Sequence, residues 1–148
     1  MRRLRRFVGL RADERRLLVR TAILMPVFRL ALWLLPFRRV AALAEHSRSR
    51  LPEPGACHPD RIAWAVRTVS RYLPKATCLV QALTAKVLLE NAGFSSRLHI
   101  GVARGEQERF EAHAWVETQG KVITGDCDLD RYSRLLLWDS RLLVERSK

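Results

Sequence analysis

Cysteine is scarce in this chain, and its spacing excludes more than it offers. There are three, Cys57, Cys78 and Cys127, and no two stand two residues apart. A zinc ribbon or a thioredoxin-type motif therefore has little to build on. The number is odd, and no apolar segment with a small-residue cleavage site follows the basic start Met1-Arg2-Arg3-Leu4-Arg5-Arg6. Free thiols in a reducing cytoplasm are the expectation. An uninterrupted apolar run of about 20 residues, the length a membrane span needs, is also missing. The most apolar stretch, Thr21 to Phe37, is bounded or broken by Arg20, Arg29 and Arg38 and punctuated by Pro26 and Pro36. A buried or interfacial helix pair is expected there. Aromatics make up only 7% of the chain, and Phe28 and Trp33 of the basic third lie inside the apolar stretch. Few rings are left to stack on bases, so no nucleic-acid partner is expected. There is no internal repeat and no low-complexity tract.

What is present suits one domain with a helical appendage. Of the 148 residues 48% are apolar and 28% charged, enough of each for a core and a solvated surface. Positive charge dominates, at a formal +12, and it is unevenly placed. Residues 1–50 hold 13 Lys/Arg against 3 Asp/Glu, and residues 51–148 hold 14 against 12. A basic, apolar-rich helical region is thus expected over 1–50 and a polar, proline-containing linker over 51–59. The core would then cover 60–148. The basic patch suits an acidic peptide or protein, or peripheral contact with an anionic membrane.

Pro59-Asp60 signals a helix start, and Ile62, Val66 and Val69 carry that helix to about Tyr72. A second helix opens at Thr77 or Cys78, is apolar on most of its surface, and stops at Asn91-Ala92-Gly93. The period then changes to two: Leu98, Ile100 and Val102 predict a strand. A second strand follows, with Phe110, Ala112, Ala114 and Val116 on one face and Glu111, His113, Trp115 and Glu117 on the other. Thr118-Gln119-Gly120 turns it back into Lys121-Val122-Ile123-Thr124 as an antiparallel neighbour. The Leu-rich tail from Arg131 is expected to cap the sheet as a strand or short helix. The fold class is α+β: a central helix carrying Cys78, packed on a small antiparallel sheet.

That arrangement has the parts of a thiol enzyme. Thiolate is the nucleophilic form of cysteine, and the unpaired N–H groups of a first helical turn favour an anion. Cys78 would be the nucleophile, with its own N–H available to an oxyanion. His113 follows 35 residues later, on a strand, as the candidate base, and Asp126 lies 13 beyond it, past the next strand, to orient the imidazole. Asp128 is a second candidate, farther past that strand. Each residue alone has a bland reading: a small core cysteine, a structural histidine, a turn aspartate. His46, His58 and His99 show no evident partner. No cofactor or metal is implied.

The runs Thr77-Cys78-Leu79-Val80-Gln81-Ala82-Leu83, Gly93-Phe94 with Arg97-Leu98-His99-Ile100-Gly101-Val102, and Phe110-Glu111-Ala112-His113-Ala114-Trp115-Val116-Glu117 closely resemble the lasso peptide biosynthesis B2 proteins. These are transglutaminase-like cysteine peptidases with a papain/transglutaminase-like core. The resemblance is strong over residues 60–126 and extends to Arg61-Ile62-Ala63-Trp64-Ala65-Val66 and the basic region before it. It implies removal of the leader from a ribosomally made precursor peptide, with Cys78, His113 and Asp126 in the three roles above. It also implies a B1 leader-recognition protein as partner, and an ATP-dependent macrocyclase that takes the freed amine. No recognition domain precedes the peptidase region, so the split form is expected. Two other readings use the same residues differently. One is a transglutaminase-like acyl transferase, with an amine in place of water. The other is a non-enzymatic basic binding module in which Cys78 is core.

Overall fold

The computed structural model describes residues 9–46, 57–73, 76–104, 110–125 and 129–139. The first helix, α1 (Ala12–Leu34), starts where Glu14 accepts from the Arg11 N–H at 3.2 Å, with Asp13 beside it near the positive end of the helix. Leu17, Leu18, Thr21, Met25 and Phe28 recur at helical spacing and are buried. Pro26, expected to bend or end the apolar stretch, sits inside this continuous helix. It lies on the exposed side, as does Ala22, whose carbonyl loses the Pro26 donor and can turn to water instead. Pro36 does end it, and α2 (Phe37–His46) begins at once, with the Arg39 N–H bonded to the Pro36 carbonyl at 2.9 Å. By length and composition α1 could cross a membrane, and its place near the N-terminus is also that of a signal sequence. In the folded chain Met25 and Phe28 are core residues.

The third helix, α3 (Pro59–Ser70), is capped by His58, whose Nδ1 accepts from the Asp60 N–H at 3.4 Å, and it stops two residues short of Tyr72. Arg61 of α3 meets Glu14 of α1 at 2.8 Å and joins the two. The central helix is α4 (Cys78–Asn91), buried continuously from Ala82 to Leu89. Gly93 ends it at φ +85°, which lets the Phe94 N–H return to the Leu89 carbonyl at 2.9 Å.

The strands are β1 (Arg97–Arg104), β2 (Phe110–Thr118), β3 (Lys121–Thr124) and β4 (Ser133–Asp139), the last preceded by a 3-10 turn, Leu129–Arg131. They form one antiparallel sheet in the order β3-β2-β1-β4, so the Leu-rich tail takes the strand option and occupies an edge. Leu98, Ile100, Ala114, Val116 and Trp138 face the helices and complete the core that Met25, Ile62, Val66, Leu83 and Leu89 begin. The result is four helices on a four-stranded antiparallel sheet, an α+β fold. The basic N-terminal helices share its core. Trp138 ties the layers together: Phe37 meets its ring edge-on at 6.2 Å and its indole N–H donates to Glu45 at 3.2 Å.

Candidate active site

Cys78 is the first residue of α4, with Thr77 as its cap. Thr77 takes two of the amides at this end: its hydroxyl accepts from the Val80 N–H at 3.4 Å and its carbonyl from the Gln81 N–H at 3.1 Å. Among the described residues the N–H groups of Cys78 and Leu79 have no acceptor, which leaves two donors at the positive end of a buried helix. The Gln81 amide donates back to the Ala76 carbonyl at 3.1 Å and pins the approach to the helix. Cys78 itself is a half-buried free thiol packed against the core edge.

His113 lies on β2 between Ala114, which faces the helices, and the opposite side of the sheet, to which strand alternation directs its own ring. The β3 partner of Val116 is Thr124, the last residue of that strand, so β3 ends before reaching the level of His113. The chain then crosses back at Gly125, whose carbonyl lies 3.0 Å from His113 Nε2. A carbonyl can only accept, so Nε2 carries the proton. In the neutral ring Nδ1 is therefore the basic nitrogen, and it has no hydrogen-bond partner among the described residues. Tyr132 packs on the ring at a centroid distance of 5.3 Å and Trp115 at 6.3 Å. Asp126 and Asp128, the two candidate orienting acids, lie outside the described residues, as does Cys127; Gly125, the residue before Asp126, is the one that touches His113. Among the described residues no hydrogen bond joins Cys78 to His113. Alternation sets the His113 ring on the sheet face away from α4, so among the described residues the thiol and the imidazole are not brought into contact.

The parts are a thiol at a helix start, a histidine on the second strand of an antiparallel sheet, and a turn from the next strand closing over that histidine. A family model described as the transglutaminase-like superfamily matches residues 22–137. The chain belongs to the transglutaminase-like superfamily. No curated protein and no solved structure matches the chain. The superfamily match runs from α1 to β4 and supports thiol hydrolase or transferase chemistry in general, without indicating a substrate.

Sequence reasoning missed Gly125 and Tyr132. The signal for Gly125 is a glycine directly after a strand and directly before a candidate acid. Its φ is +80°, and a Cβ there would lie 2.7 Å from the Ala114 carbonyl oxygen, 2.9 Å from Trp115 Cβ and 3.0 Å from His113 Nε2. Gly125→Ala should therefore displace the turn, destabilise the transglutaminase-like core by about 1–3 kcal/mol, and reduce turnover. Thermal melts beside activity assays at a temperature where the variant is folded would check this. A loss of activity there reports the freed imidazole and not unfolding.

His99, set aside for want of a partner, is only 2% exposed. It stacks on Trp115 at 5.1 Å with 7° between the rings, and neither ring nitrogen has a hydrogen bond. Glu117 Oε2 approaches Nε2 at 3.3 Å but is not aligned to accept. Burial, aided by Arg134, holds the His99 pKa below the usual 6.5, against the opposing pull of Glu117. In the window below 6.5 the unfolded chain thus binds the proton that the folded chain refuses. This contribution to stability is complete above 6.5 and is lost as pH falls from there through the folded value. His99→Phe, which keeps the stack and removes the titration, should flatten the stability–pH curve in that window. Denaturant midpoints measured across it would show the change.

Proposed function

We propose that the protein is a thiol peptidase that removes the leader from a ribosomally made precursor peptide. What supports the chemistry is a free thiol at a helix start together with, on β2, a histidine whose proton is held on Nε2 by the Gly125 carbonyl. Cys78 would attack the scissile carbonyl, and His113 Nδ1 would take the thiol proton and then give it to the leaving amine. The N–H groups of Cys78 and Leu79 would receive the oxyanion, and water would release the leader from the thioester. Asp126, the next residue after Gly125, is the acid proposed to support the protonated imidazole. Cys78 and His113, which lie on different sides of the sheet, would have to meet in a rearranged, substrate-bound state. The substrate class rests on the resemblance to lasso peptide B2 proteins, which also supplies the expected partners. These are a B1 leader-recognition protein that presents the leader and an ATP-dependent macrocyclase that uses the new amine, both cytoplasmic. The experiment is incubation of the protein with a leader–core precursor, with and without a B1-type protein, read by mass spectrometry. Release of an intact leader and a core with a free amine supports the proposal; an untouched precursor in both arms overturns it.

A further inference from the structure

We propose that α1 docks in the plane of an anionic lipid bilayer, a role independent of the thiol chemistry. The observation is the face of α1 turned away from the core. Val19, Ile23, Val27, Leu30 and Leu34 recur there every three or four residues, and each is about half exposed or more; Trp33 beside them is 80% exposed. The core-facing side of the same helix already uses Met25 and Phe28, 0% and 3% exposed. Crossing a bilayer would pull those two out of the core, whereas lying on it leaves them in place. Arg16 and Arg20 are exposed near one end of the stripe, and Arg38 and Arg39 are exposed beyond the other, at the start of α2. From Arg15 to Arg39 the sequence has no acid. An apolar stripe flanked at both ends by arginines, with a tryptophan at its margin, matches acyl chains below and phosphates at the rim. A second copy fits less well. Two such stripes facing each other, parallel or antiparallel, would set arginine clusters against arginine clusters with no acid between them.

The test uses the full chain and sedimentation with phosphatidylcholine vesicles that contain or lack phosphatidylglycerol. Ile23→Glu and Leu30→Glu alter exposed positions only, so circular dichroism should match the parent. Binding to the anionic vesicles, weakened by salt and cut about tenfold or more by either variant, is the expected result. Trp33 emission should shift to the blue on binding, and Trp33→Phe should remove that shift, the emission of Trp64, Trp115 and Trp138 being unchanged by vesicles. Absence of binding, or binding that both variants retain, overturns the proposal. So does loss of a dimer or of B1-type protein capture in those variants when vesicles are not bound at all. Resistance to alkaline extraction from the vesicles would replace docking with insertion across the bilayer.

Discussion

Cys78→Ala should lower leader release by at least about 10³-fold while leaving the fold intact. The thiol is half-buried at the first turn, so truncation removes one sulfur from the edge of the core and none of the capping bonds made by Thr77. Circular dichroism and the melting temperature should barely move. His113→Ala should bring activity to a similar floor, because in the proposed mechanism thiol and imidazole act as one unit. The double variant should then be little worse than either single one. Retention of activity within about tenfold in Cys78→Ala would remove the thiol from the mechanism, whatever cleaves the peptide. A further arm separates hydrolysis from transfer. With an added primary amine, a transferase would place it on the acyl product, while a peptidase would still return the acid. Alkylation of the three cysteines across pH completes the set. Preferential labelling of Cys78 that His113→Ala abolishes would show that the two side chains communicate in solution.

The helices and strands were legible because their signals are local. Thr77 before Cys78 is a good cap followed by an apolar run, and the structure places the helix start there. The alternation through Ala112, Ala114 and Val116 gave β2 and, with the Gln119-Gly120 turn, its pairing to β3. What was not legible depends on which surfaces the fold covers. Reading β2 and β1 as having one apolar face left His99 as an outlier. Both faces are in fact occupied at their centre, where Trp115 is 1% exposed among rings of His99, His113 and Tyr132. No period distinguishes a buried aromatic stack from a solvated polar face when its members are histidine, tryptophan and tyrosine. Pro26 does not end the helix because the lost hydrogen bond faces solvent, a fact of orientation and not of sequence. That Cys78 starts a helix and His113 lies on a strand was legible, but the Gly125 carbonyl that meets the imidazole is a backbone group, and residue identity carries no mark of it.

Lys86 is a buried lysine, a residue type rarely found inside unless paired, and it should show the second large effect. Its side chain is 1% exposed, and the ammonium meets Glu90, whose side chain is 3% exposed, at 2.6 Å. It also donates to the Ser96 carbonyl at 3.1 Å and lies 4.8 Å from the centre of the Trp138 ring. The pair thus fixes the C-terminal half of α4 against β4 and the entry to β1, which in turn sets the position of Cys78 at the other end of the helix. Lys86→Met should cost about 3–5 kcal/mol, because it removes the buried ammonium that meets the Glu90 carboxylate. For a chain of this size that lowers the melting temperature by roughly 10 °C. Removing the second charge as well, in Lys86→Met with Glu90→Leu, should recover most of the loss, since two packed apolar side chains need no solvation to replace. A single variant that costs under about 1 kcal/mol would mean that Lys86 contributes little to holding the Glu90 charge. Activity decides the rest of the argument. If the double variant regains stability but not leader release, the ion pair serves to aim α4; if both return together, its role is confined to holding the fold.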